Sequence, residues 1–149
     1  MSGTAGVPRL LLASASPRRR ELLALLDRPF EVVAADVDET PRPGEPPESL
    51  VERLALAKAE AGRRAALGDR SAGGPNVVVI GADTVVVIDG DIVGKPADDG
   101  QAAAILRRLS GRDHEVLTGV AVVADGVARS TVVATTVGFV PLSDAAIEV

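Results

Sequence analysis

At 149 residues and 46% hydrophobic side chains the chain can build one proper core, and its formal net charge of −5 argues against a broad basic face for nucleic acid or an acidic membrane. It has no cysteine and a single histidine, His114, which excludes a disulfide framework, a thiol nucleophile, a zinc knuckle and a histidine-rich metal cage. A metal, if one takes part, must have oxygen ligands, which points to magnesium or manganese.

No apolar run approaches the roughly 18 residues of a membrane span, and the first nine residues lack a signal-peptide pattern, so a cytoplasmic protein is expected. Only Phe30 and Phe139 are aromatic, which removes base stacking on a row of rings. Residues 1–9 read as a flexible tail and 10–149 as a single domain.

Residues 10–26 read LLLASASPRRRELLALL: an apolar run suited to a core strand, a polar turn and a helix start. Pro17 falls at the first helical position and Ser16 at the N-cap. Arg18, Arg19 and Arg20 then put three cations into a first turn whose unpaired N–H groups are already partially positive. Each is unfavourable by roughly 0.3–1 kcal/mol at an exposed end. An anion such as a phosphate chain reverses the sign; the plainer reading is a solvated basic helix start. Leu22, Leu23, Leu25 and Leu26 are spaced to cover one helix face, and the helix stops near 27–29. Residues 30–33 read as a second strand. Residues 36–47 hold Asp36, Asp38, Glu39 and four prolines, a carboxylate-rich loop that is either a solvated linker or part of a site.

From 47 to 67 the pattern is helical, with Leu50, Leu54, Ala57 and Ala61 as the apolar stripe. Lys58 lies at the margin of that stripe, so its ammonium either snorkels to water or faces an anion. The chain has fourteen arginines and only two lysines, Lys58 and Lys95, so arginine is its ordinary surface cation. A lysine kept against that bias suits a compact charge that touches phosphate. Residues 68–76 form a Gly, Ser and Pro loop.

The apolar centre follows. Residues 77–88 read VVVIGADTVVVI, two β-branched runs around Gly81, Ala82, Asp83 and Thr84, closed by the hairpin signal Asp89-Gly90. Asp83 is expected to be largely buried, which is costly unless it is paired or ligates a cation. Gly81 marks a bulge or a close approach by backbone or ligand. Ile92 and Val93 belong to a return strand, followed by Gly94-Lys95-Pro96 and a helix from Asp98-Asp99 to about Leu109, with both aspartates as caps and Gly111 at its C-terminal stop. Residues 115–124 and 127–140 form a second hairpin turned at Asp125-Gly126, with His114 and Thr118 at its start; His114 is expected to be a hydrogen-bonded structural residue. Ser143 caps a last short helix that reads as cut rather than completed. The expected fold class is α/β. No GxxxxGK[ST] occurs, which excludes a Walker-type kinase or ATPase.

Six segments in order, LLASASPRRRELL, DVDE at 36–39, LALAKAEA, GADTVV, GKP and LSGRDHEVLTGV, resemble the Maf family of nucleoside triphosphate pyrophosphatases. The resemblance covers nearly all of 10–149. It implies a mixed twisted β-sheet flanked by helices, similar to the inosine triphosphatase-like enzymes, and hydrolysis of a nucleoside triphosphate to monophosphate and pyrophosphate with Mg2+ or Mn2+. Carried over position by position, Asp83 becomes the proton acceptor or metal ligand, and Glu39, with Asp38 as its competitor, the second acidic metal ligand. Ser14, Arg18, Arg19, Lys58, Thr84 and Lys95 become phosphate and nucleotide contacts. Arg18 and Thr84 look like the dTTP/UTP group, where tryptophan and glutamine would mark the 7-methyl-GTP group; the implied role is house-cleaning of non-standard nucleotides. Family members usually continue through a further helix and a KAGxYGIQG-like segment that is not in this sequence. Its lack is expected to expose a sheet edge, which makes a homodimer one available arrangement. The competing class is a non-catalytic nucleotide-binding regulator of cell division.

Overall fold

The computed structural model describes residues 8–68 and 76–148. Of the tail expected at 1–9, residues 1–7 lie outside the described residues, as do 69–75 of the loop expected at 68–76 and Val149, while Arg9 is the first residue of a strand. In chain order the elements are β1 (Arg9–Ala13), α1 (Pro17–Ala24), β2 (Glu31–Val33), α2 (Pro47–Leu67), β3 (Val77–Ile88), β4 (Asp91–Val93), α3 (Asp99–Leu109), β5 (Asp113–Ala124), β6 (Val127–Gly138) and α4 (Asp144–Ile147). One six-stranded mixed sheet runs in the order β2-β1-β3-β5-β6, with β4 on β3. The β1–β2 and β1–β3 pairs are parallel, whereas β3 and β4 are antiparallel. The segment expected as two β-branched runs is a single twelve-residue strand, because β1 pairs with its first half and β4 with its second.

The described residues fall into two compact units, and β3, β5 and β6 contribute to both. The first holds the residues up to Asp83 together with Gly119–Val132. Its core is Leu11 and Ala13 of β1, Val77 and Val79 of β3, Ala121 and Val123 of β5, and Ala55, Ala59 and Leu67 of α2. The buried face of α2 runs through Leu50, Val51, Leu54, Ala55, Ala59 and Gly62, so the stripe is rotated from the expected one and Ala57 and Ala61 sit at its margin. Small residues explain the rotation. A Cβ on Gly62 would lie 2.7 Å from that of Ala13, one on Gly81 would be 2.6 Å from the Ala59 nitrogen, and one on Gly119 would strike the Val51 carbonyl. The helix therefore lies almost backbone to backbone on the sheet, and Gly81 serves this close approach rather than a bulge.

Helix α1 departs from its expected amphipathic packing, since none of its residues is buried and Leu22, Leu25 and Leu26 are 57%, 78% and 66% exposed. It ends at Ala24, so Leu25 is the C-cap and Leu26 lies beyond the helical register.

The second unit comprises Thr84–Thr118 and the residues from Val133 onward. Asp89 and Gly90, with φ of 52° and 81°, form the tight turn from β3 to β4. Asp98 caps α3 by accepting from the Gln101 nitrogen at 2.8 Å, and Gly111, φ +64°, follows the last turn. Ser143 caps α4, accepting from the Ala146 nitrogen at 3.1 Å. His114 is buried, but the hydrogen bond expected of it is missing at Nδ1, which has no partner among the described residues; the ring meets Phe139 edge-on at 5.0 Å. Among the described residues no helix is long and apolar enough to cross a membrane.

Candidate active site

The first unit brings a basic turn, an acidic loop and a buried acid together. Strand β1 ends at Ala13 and runs into Ser14, which is only 8% exposed. The Ser14 Oγ accepts from the Ser16 nitrogen at 3.1 Å, and the Ser16 Oγ accepts from the Arg19 nitrogen at 3.3 Å, so two successive hydroxyls shape the turn that starts α1. Arg19 folds back and donates from Nη1 to the Ala82 carbonyl at 3.1 Å, which ties the first turn of α1 to the residue preceding Asp83. Arg18 and Arg20 are exposed on the same turn.

Asp83 is 6% exposed, as its place in the apolar run predicts. Its counter-charge comes from α2: Lys58 Nζ donates to Asp83 Oδ1 at 2.9 Å. The Lys58 side chain is itself only 13% exposed, so of its two expected fates the ammonium faces an anion rather than water. Glu39 approaches the same ammonium at 3.6 Å from the acidic loop, with its side chain 60% exposed. Its competitor Asp38 is otherwise engaged, since Oδ1 accepts from the Thr40 nitrogen at 3.0 Å, and hydrogen bonding from the Thr40 side chain, aided by that N–H, pulls its carboxyl below the usual range. Two carboxylates thus converge on one cation.

Sequence reasoning passed over Arg53 and Glu45. Arg53 grips Glu45 with two hydrogen bonds, Nε to Oε2 at 2.7 Å and Nη2 to Oε1 at 2.9 Å, and Nη2 reaches the Thr40 carbonyl at 3.2 Å. Glu45 also accepts from the Arg42 nitrogen at 3.0 Å. The Arg53 guanidinium, aided by that N–H, holds the Glu45 carboxyl down at about 2. No periodicity announces such a pair; the one available signal was a lone glutamate among the loop prolines.

Thr84 and Lys95 belong to the second unit. The Thr84 Oγ1 is 3.0 Å from the Thr118 Oγ1 on β5. Lys95 is exposed beyond β4 and lines a pocket of about 440 Å³ with Val93, Gln101, Ile105 and Arg108. Arg108 there is held by the Ile88 carbonyl and Asp91, whereas Lys95 makes no ion pair among the described residues.

A family model described as Maf-like protein matches residues 9–149. The chain belongs to the Maf family. Proteins named dTTP/UTP pyrophosphatase are 52% identical to this Maf chain in Aromatoleum aromaticum, 49% in Hahella chejuensis and 48% in Shewanella oneidensis. These alignments cover 91%, 98% and 93% of this chain and 69%, 70% and 72% of the respective relatives, so this Maf chain spans about seven tenths of their length. The Ham1 protein of Staphylococcus aureus has the same fold, with a TM-score of 0.50 at 15% identity over 87% of this chain and 69% of that one.

The divalent cation implied by the family fits the donors present. Both acids offer hard oxygen ligands, and they already share a single positive charge, which suits an ion that takes one or two carboxylates and completes its shell with phosphate oxygens and water. Among the described residues no group of three or more potential ligand side chains converges; Asp83 and Glu39 are the two carboxylates that could hold such an ion.

Proposed function

We propose that this Maf protein hydrolyses dTTP, UTP and modified pyrimidine nucleoside triphosphates at the α-phosphorus, yielding the monophosphate and pyrophosphate and so keeping non-standard nucleotides out of nucleic acids. The substrate class is supported by relatives 48–52% identical that carry the name dTTP/UTP pyrophosphatase. The chemistry is carried by one observation: a carboxylate on the central strand, nine-tenths buried, held by a lysine at 2.9 Å.

In this reading Lys58 holds the Asp83 carboxylate turned, with Oδ1 fixed and Oδ2 left to take the proton from the attacking water. Negative charge builds on the departing pyrophosphate, and the cations of Arg18 and Arg19 answer it. The Ser14 oxygen accepts from the Ser16 N–H, which leaves its hydroxyl proton to donate to a phosphate oxygen. Thr84 serves as a nucleotide contact. A magnesium or manganese ion held by Asp83 and Glu39 supplies charge neutralisation to the phosphates when bound.

A panel of triphosphates with pyrophosphate readout in the presence of magnesium tests the proposal. Release from dTTP and UTP is expected; preference for 7-methyl-GTP overturns the substrate, and triphosphate binding with no release overturns hydrolysis. Asp83→Asn keeps the shape and removes the charge. It is expected to abolish turnover while the protein stays folded, and wild-type turnover removes Asp83 from the mechanism.

A further inference from the structure

Glu39 poses a mechanical problem. Its side chain is 60% exposed, its contact with Lys58 is long at 3.6 Å, and it sits in a proline-rich loop outside any helix or strand. Nothing in its own packing keeps a carboxylate there. The bonds on the neighbouring residues do. The Thr40 N–H is taken by Asp38 Oδ1 at 3.0 Å and the Thr40 carbonyl by Arg53 Nη2 at 3.2 Å, so both backbone groups of the residue after Glu39 are fixed. Arg53 stands on α2, the same helix that carries Lys58.

The fork from Arg53 to Glu45 completes the arrangement, because it fastens the far end of the loop to the guanidinium that holds Thr40. These two side chains are 23% and 8% exposed, against 60% for Glu39, so the fixed part of the loop is the clamp and not the carboxylate it presents. The Glu45 carboxyl stays ionised down to about pH 2, so the clamp persists across the physiological range.

We propose that Arg53 and Glu45 are positioning residues for Glu39: the clamp holds the acidic loop so that Glu39 faces the ammonium shared with Asp83, and thereby sets affinity for the divalent cation rather than the rate of the chemical step. The proposal rests on the reading of Glu39 as an acidic group of the site. A lysine at 53 keeps the charge but lacks the planar fork, so it cannot make all three bonds. Partners that orient a metal ligand typically change metal affinity by roughly 10–100-fold when lost.

The test uses the full chain with Arg53→Lys, Glu45→Gln and Glu39→Gln, the last two nearly isosteric. Each variant is titrated with magnesium during dTTP hydrolysis, and amide exchange over residues 36–46 is followed by mass spectrometry without nucleotide. Arg53→Lys and Glu45→Gln are each expected to raise the half-maximal magnesium concentration roughly tenfold, to leave kcat at saturating metal within about twofold, and to speed exchange in the loop. Glu39→Gln is expected to give the same magnesium shift without the faster exchange, and Arg53→Lys combined with Glu39→Gln no further shift. Faster exchange with an unchanged magnesium requirement in the two clamp variants overturns the positioning role and leaves Glu39 standing. An unchanged magnesium requirement in Glu39→Gln overturns the reading of Glu39 itself, and the clamp proposal with it.

Discussion

Replacing Lys58 by methionine isolates the electrostatic core of the site. Methionine keeps most of the aliphatic length and removes the charge, so what remains is a carboxylate 6% exposed with its 2.9 Å partner gone. Breaking a buried pair from one side costs about 3–5 kcal/mol, because the orphaned charge keeps its desolvation penalty without compensation. Lys58 retains 13% exposure and Glu39 can swing into water, so the lower end, about 3 kcal/mol, applies. For a chain of this length each kcal/mol moves the melting midpoint by roughly 2–4 °C, which puts Lys58→Met some 6–12 °C below wild type. Asp83→Asn removes the charge that needs compensating, so the double variant should recover most of that loss. The assay is thermal and urea denaturation of the four proteins as a double-mutant cycle, read without reference to activity. A Lys58→Met protein melting within about 2 °C of wild type, or a double variant that loses the sum of both single effects, refutes the argument that a buried, coupled pair organises the site.

Gly81→Ala would put a Cβ 2.6 Å from the Ala59 nitrogen, so α2 must back away; a loss of about 2–3 kcal/mol in urea denaturation and reduced turnover are expected, whereas Gly94→Ala, with nothing within 4 Å, should stay within about 0.5 kcal/mol. Glu45 is depressed to about 2 in the folded state, so its contribution is complete above the ordinary glutamate range and is lost as pH falls through 2. Acid denaturation should accordingly show the stability gap between wild type and Glu45→Gln closing between about pH 4.5 and 2. Leu25→Ser should change stability by no more than about 0.5 kcal/mol, since that leucine is 78% exposed, and a larger loss would mean that the α1 leucines are covered.

The parts of the fold that are local in the chain were legible in the sequence. Helix α2 was bounded by its prolines and the Gly68 stop, the β3–β4 turn by Asp89-Gly90, and the burial of Asp83 by the β-branched runs around it. Lys58 stood out through the scarcity of lysine. What depends on tertiary approach was not legible. Leucine spacing in α1 matched a buried face, yet the helix stops too early to turn Leu25 and Leu26 inward. The α2 stripe was placed on its leucines, while the sheet selected the smaller Ala55, Ala59 and Gly62, because close approach rewards lack of volume rather than hydrophobicity. Arg53 and Glu45, eight residues apart across a helix start, carry no periodic signal at all.

The same economy of volume bears on the chemistry. Gly81 of β3 lies against the Ala55 carbonyl and the Ala59 nitrogen of α2, where a Cβ would strike the carbonyl and come within 2.6 Å of the nitrogen, and the charged residues are neighbours: Asp83 lies two residues along the strand from Gly81, Lys58 one residue before Ala59 on the helix. Backbone contact that close leaves no room for water between strand and helix, so the Lys58–Asp83 attraction acts in a medium of lower polarity than the surface, where it is stronger and where either charge alone is harder to bear. Arg19 closes the other side by occupying the Ala82 carbonyl, which also gives one of the three crowded first-turn cations a partner of negative polarity. A larger residue at 59 or 81 would therefore admit water to the pair and weaken its hold on Asp83 before altering any group that touches a nucleotide. On this argument the glycine and alanine of the seam govern the acid's environment as directly as the lysine does.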